Sequence, residues 1–127
     1  MRLAGIITPL ALMACEAPAP TAESLIPDYR GTQAVALAPD IVQIEAEMTN
    51  AITAEDVKDY TDCAVAEYAV ANGFGFARHL RANVSAQGSV WTGKVAYLLS
   101  AATPEGLAVI DAAQTADGCR KRGIPLV

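Results

Sequence analysis

The chain is 127 residues long, 53% hydrophobic, and carries a formal net charge of −5. That size accommodates one small domain with a true apolar core. An acidic balance without a basic cluster excludes tracking of a phosphate backbone, so nucleic acid is not expected as a partner, and a single histidine excludes a multi-histidine metal centre.

After Met1-Arg2 the chain enters an apolar run from Leu3 to Ala14. About a dozen residues suits the core of a signal peptide and falls short of the roughly 20 that span a bilayer. Pro9 further opposes a spanning helix. The run ends in Leu12-Met13-Ala14-Cys15, which resembles the bacterial lipobox, Leu-x-(Ala/Gly/Ser)-Cys. The resemblance implies that residues 1–14 are a removed signal peptide and that Cys15 is acylated, palmitate-like, on its sulfur and on the new N-terminus. The membrane is then a partner through Cys15. Each buried methylene contributes about 0.8 kcal/mol, and one chain holds only marginally, whereas two or more anchor stably. Glu16, where an Asp would imply retention in the inner membrane, points to the outer one, with the domain facing the periplasm. The alternative is an ordinary secretory signal cut nearby. Residues 15–34 read as the acylated cysteine and a flexible tether, because Ala17-Pro18-Ala19-Pro20-Thr21-Ala22 is small and Pro-interrupted.

The domain is expected over 35–127. Val35–Ala38 forms a short extended piece before Pro39. Ile41–Met48 alternates strictly, with Val42, Ile44, Ala46 and Met48 inward and Gln43, Glu45 and Glu47 outward, and reads as the first strand. Thr53-Ala54-Glu55-Asp56 has the chemistry of a helix start. The helix runs to about Asn72, with Val57, Tyr60, Ala64, Tyr68 and Ala71 on one face, Cys63 at its edge, and Gly73 as the left-handed stop. Phe74–Val84 reads as a strand with Phe74, Phe76, Leu80 and Ala82 on one face and Ala77, His79, Arg81 and Asn83 on the other. Residues 85–89 turn the chain, and Val90–Ser100 returns as the hairpin partner, with Trp91, Val95, Tyr97 and Leu99 inward. After a turn at 103–106, residues 107–116 suit a strand and a helix about equally, and Cys119–Arg122 reads as a short helical end. The fold class is α+β: one main helix on a mostly antiparallel sheet of three to four strands, in the order β-α-β-β-β with a short C-terminal helix.

With Cys15 assigned to lipid, Cys63 and Cys119 remain in an oxidising compartment. A bond between them closes a loop of about 57 residues and contributes roughly 4 kcal/mol on the chain-entropy account. It is favoured over two separate buried thiols because a small exported domain gains most from a staple.

Taken together, Cys63-Ala64-x-Ala66-x-Tyr68-Ala69, Gly73-Phe74-Gly75-Phe76-Ala77-Arg78-His79, Trp91, Tyr97, Ser100, Pro104-x-Gly106-Leu107, Ile110-Asp111, Cys119 and Gly123-Ile124-Pro125 resemble small uncharacterised lipoproteins of alphaproteobacteria over about residues 35–127. The resemblance implies that both domain cysteines belong to the framework, and it implies no activity. Ala112-Ala113-Gln114 departs from the more strand-like sequence expected there.

Arg78-His79-Leu80-Arg81 is the cluster with chemical potential. His79 and Arg81 are expected on the outer sheet face near Glu45, Glu47 and Lys94. They would bind a small anionic ligand there, although cross-strand charge pairing is the favoured account. Arg78 falls on the inner face by parity, where a guanidinium requires a carboxylate, and Glu67 or Asp111 is the expected structural partner. No Gly-x-Ser-x-Gly, Walker A or His-Glu-x-x-His motif occurs. Gly73-x-Gly75 follows a helix and lacks a third glycine, so it is no dinucleotide fingerprint. The reading is a non-catalytic envelope lipoprotein with a structural or binding role, no cofactor, and an envelope protein or small anion as partner. Two alternatives are an envelope hydrolase with His79 as general base, for which no nucleophile stands out, and a small-molecule carrier with a pocket lined by Tyr68, Trp91 and Tyr97.

Overall fold

The computed structural model describes residue 5 and residues 27–102 and 109–125. The chain folds in the order β1 (Asp28–Ala38), β2 (Ile41–Thr49), α1 (Ala54–Ala71), β3 (Phe76–Gln87), β4 (Val90–Ser100), β5 (Val109–Asp111) and α2 (Ala112–Lys121). The strands form one sheet, β1-β2-β4-β3-β5, with every neighbouring pair antiparallel. The class is α+β, as its sequence pattern indicates, with five strands rather than three to four.

The alternation of β2 and β4 is the reason for the layered core. Val42, Ile44, Ala46 and Met48 of β2 and Val95, Tyr97 and Leu99 of β4 are at most 3% exposed. They face α1, whose buried side is built from Val57, Tyr60, Thr61, Cys63, Ala64, Val65, Ala66 and Ala69. Alanines along this side let the helix axis lie close to the sheet. The approach is tightest at Gly93, where an added Cβ would stand 2.6 Å from Val57 Cγ1. Cys63 is fully buried rather than at the margin of the helix face.

The Asp56 carboxylate starts α1 by accepting from the Ile52 and Thr53 amides at 2.7 and 3.1 Å, which satisfies N–H groups at the helix entry. Both helices stop alike. Gly73 (φ +80) and Gly123 (φ +73) are left-handed. The Phe74 amide donates to the Ala69 carbonyl at 2.8 Å, and the Ile124 amide donates to the Cys119 carbonyl at 3.0 Å. These are Schellman closures, and each tucks an apolar residue back against the helix it ends.

Three expectations are corrected. First, β1 begins at Asp28 and pairs with β2 along its length, so residues 28–34 belong to the sheet and not to the tether. Second, β3 has the opposite parity at its start. Ala77 is fully buried and His79 faces α1, while Phe76 and Arg78 lie on the outer face. A register shift between His79 and Arg81 then inserts Leu80 as an extra residue, 47% exposed, so that Arg81 points outward beyond it. A bulge of this kind reverses the face of every later side chain. Third, residues 109–116 are not one element: three residues pair with β3 as β5, and the helix starts at once at Ala112.

Cys63 and Cys119 form a disulfide, with a Cα–Cα distance of 5.9 Å. It joins α1 to α2 and lies in an apolar cluster with Met48, Val57, Tyr60 and Ile124. The expected signal peptide, Cys15 and most of the tether lie outside the described residues.

Candidate functional site

Cross-strand rows of residues cross the inner sheet face where β2, β4 and β3 run side by side. In one row Val42 is opposite Tyr97, and Tyr97 is opposite His79. α1 places Thr61 and Asp62 above this row. His79 Nε2 and Asp62 Oδ1 are 2.7 Å apart, and the Tyr97 hydroxyl is 2.7 Å from the same oxygen and 2.8 Å from Thr61 Oγ1. A carboxylate oxygen only accepts, so His79 Nε2 carries its proton and Tyr97 donates to Asp62. The Thr61 hydroxyl, 2.9 Å from the Lys58 carbonyl, has both that carbonyl and the phenol oxygen within reach of its one proton. The imidazole also tilts against the phenol ring at 4.9 Å. His79 and Asp62 keep 30% and 25% of their side-chain surface open, whereas Tyr97 and Thr61 are fully buried. Burial, reinforced by the Asp62 charge, raises the Tyr97 pKa far above its ordinary 10.0.

This network ties helix to sheet, and its pH dependence follows from Tyr97. A group whose folded pKa is raised contributes stability that is complete below its unfolded value and is lost as pH climbs above it. Stability is therefore expected to fall from about pH 10 upward, by up to roughly 1.4 kcal/mol per pH unit for this one proton. Tyr97→Phe should cost about 1–2 kcal/mol at neutral pH, since Asp62 loses a donor, and should flatten the alkaline decline. Tyr29 and Tyr60, both also raised by burial first, leave a residual slope. Urea titrations of both proteins at pH 7 and above 10 measure this, and an unchanged alkaline slope in the variant would remove Tyr97 as its source.

The structure separates the residues that the sequence groups together. His79 belongs to the inner network and Arg81 is exposed on the opposite face, so they do not form one anion site. Arg78 is half-buried on the outer face, opposite Leu98 and Val109. It has no ion pair among the described residues, because the extra residue at Leu80 puts Arg78 on the face opposite to the one that alternation across the whole strand assigns it. Of its expected partners, Asp111 accepts from the Gln114 amide at 3.0 Å and caps α2, and Glu67 sits on the far side of the sheet. Elsewhere on the outer face Glu45 and Lys94 are opposite one another with their charges 3.8 Å apart, and Gln43 donates to Glu45 at 3.1 Å. Glu45 and Lys94 line an open groove of about 330 Å³ with Arg30, Gln33 and Glu47. Exposed pairs of this kind contribute about 0–1 kcal/mol. Tyr68, Trp91 and Tyr97 do not share a pocket: Tyr97 and Tyr68 pack in one cluster and Trp91 in another. Asp62 and Thr61 escape sequence reasoning. The signal was a polar pair interrupting the buried run of α1, but its partner lies on a strand whose parity a bulge conceals.

A sequence profile of the YNQ4 C-terminal domain matches residues 29–123, which takes in every strand and both helices. The chain belongs to the YNQ4 C-terminal domain family. The chain is also 34% identical over 105 residues to an "uncharacterized 26.9 kDa protein in nqo8 5'region" of Paracoccus denitrificans. That match covers 77% of this chain and 41% of the relative, so the chain spans well under half the relative's length. No solved structure matches. The YNQ4 C-terminal domain match begins beside the first residue of β1, in accord with a domain that includes the edge strand.

Proposed function

We propose that this protein is a lipid-anchored envelope protein of the periplasm, non-catalytic, whose YNQ4 C-terminal domain serves as a structural or binding module. The observation that carries the reading is the Cys63–Cys119 disulfide. Such a bond belongs to an exported, oxidising setting, and it leaves Cys15 as the one thiol outside the domain framework, at the lipobox-like end of an apolar run. Among the described residues no helix is long and apolar enough to cross a membrane. Attachment through acyl chains is read from Leu12-Met13-Ala14-Cys15 alone. The Glu16 position favours the outer membrane.

A hydrolytic role for His79 has one observation on its side, the carboxylate of Asp62 that would orient the ring. Among the described residues the hydroxyls of the His79 network belong to Tyr97 and Thr61, and both are fully buried. The helix-to-sheet tie accounts for the pair without chemistry.

The test is metabolic labelling of the full chain in a bacterium with an alkyne fatty acid, followed by fractionation and intact mass. Label at Cys15, lost together with membrane pelleting in Cys15→Ser, is the expected result. A full-length, unlabelled chain found in the cytoplasm with three free thiols would end the proposal.

A further inference from the structure

We propose that the groove between α1 and the β1–β2 edge of the sheet is a binding site for a small alkylammonium, a single positive amine on a short apolar tail. The groove holds about 220 Å³ and is lined by Thr32, Ala34, Ile44, Ala64, Glu67, Tyr68 and Ala71. Apart from Glu67 and two hydroxyl-bearing side chains its walls are aliphatic or aromatic. Drug-sized sites occupy roughly 300–1,000 Å³, so this one suits a smaller guest.

Glu67 supplies the specific element. Its Oε2 is shielded from water and has no hydrogen-bond partner. An acceptor buried without a donor is costly, more so when it belongs to an ionisable group. Of the sheet residues in the lining, Ala34 and Ile44 are opposite one another on β1 and β2 and neither side chain has a donor, while the Thr32 hydroxyl does not bond it. Arg78, the cation that sequence parity would bring here, lies on the other face. The unmet acceptor therefore calls for a donor from outside, and an ammonium brings three. The last torsion of a glutamate is broad, so either oxygen turns toward the groove without moving the helix. Thr32 adds a hydroxyl to the same lining, and the Ala34, Ile44, Ala64 and Ala71 side chains receive the tail. A carboxylate or phosphate would meet Glu67 with like charge, so the site selects against anions. The small residues matter as much as the charge. Ala34, Ala64 and Ala71 are what leave the space open, and one larger side chain at any of them would fill it. Ala34 sits on the edge strand, where no further strand among the described residues closes the groove's outer side.

The inference extends the binding-module reading by giving it a ligand class, and it does not depend on the acyl anchor. A failed labelling experiment at Cys15 leaves it standing, and its own failure leaves the anchor standing.

The probe is n-butylammonium chloride, titrated into the isotopically labelled full chain and followed by methyl NMR, with n-butanol and butyrate as controls at equal concentration. Saturable shifts at Ala34, Ile44, Ala64 and Ala71 with butylammonium alone are expected. Glu67→Gln should weaken the binding about tenfold or more through loss of the charge-assisted contact. Ala34→Leu, which fills the groove and keeps the carboxylate, should abolish it, and it serves as a second arm should Glu67→Gln perturb folding. Absence of saturable shifts, equal binding of n-butanol, or full binding retained by both variants overturns the proposal.

Discussion

Reduction of the Cys63–Cys119 bond is expected to lower domain stability by about 4 kcal/mol. The bond joins residues 56 apart in sequence, so cutting it releases a long closed loop in the unfolded chain and raises the entropy that folding must overcome. The structural consequence is concentrated in α2. Its ten residues are too few to hold helical form unaided, since isolated helices below about 12–15 residues are marginal. Its buried residues are Ala112, Ala116 and Cys119, a modest apolar area for holding it to α1. Cys63→Ala/Cys119→Ala should therefore shift the urea midpoint down by roughly 2 M or more, with early loss of amide protection across 112–121. Cys15→Ser should leave the midpoint unchanged. If thiol titration confirms complete reduction and the midpoint stays where it was, α2 is held by packing alone and the staple is redundant.

The second large effect is expected at Gly93. Substitution by Ala is usually mild in a strand, and β propensity would even favour it slightly. Here the new methyl group would meet Val57 Cγ1 at 2.6 Å and Thr61 Cγ2 at 3.6 Å. Val57 is fully buried and its one favoured rotamer in a helix leaves little room to turn aside. Overpacking of this type costs about 1–3 kcal/mol, and the upper end is expected because the displaced helix also carries Thr61 and Asp62 away from Tyr97 and His79. Val57→Ala alone should cost about 1–3 kcal/mol through the cavity it leaves. Combined, the two changes should cost less than their sum by at least about 1 kcal/mol, since each relieves the other. Strict additivity in a double-mutant cycle would show that the helix does not rest on Gly93.

The parts of this fold written plainly in the sequence are those with one repeating rule. β2 and β4 alternate without interruption and both flanking layers agree, so their inward residues are legible one by one. α1 announces its start with Thr53 and Asp56 and its end with Gly73. What stays hidden has a physical reason in each case. β1 is an edge strand with Gly31, Thr32 and Gln33 in its middle, and a strand paired on one side needs no apolar alternation to be stable. β3 keeps a regular-looking pattern across a bulge at Leu80, so the alternation read from either end assigns the wrong face to the other. The inverted face of His79 hides Asp62, and with it the network around Tyr97. The pairing of Arg78 fails for the same reason, and its failure is what exposes the unmet oxygen of Glu67. The expected Cys63–Cys119 bond is present in the structure, where hydrophobic periodicity has nothing to say about pairing.

The irregular steps in β1 have a bearing on how these molecules tolerate crowding. Its register against β2 slips between Tyr29 and Gly31 and again between Ala36 and Ala38, and Gly31 is held at φ +133. A straight ribbon of eleven residues at the rim would offer a template for another molecule to zip onto. Kinked twice, the rim presents its amides in short, misaligned runs, so stacking copies edge to edge is penalised even at high local density.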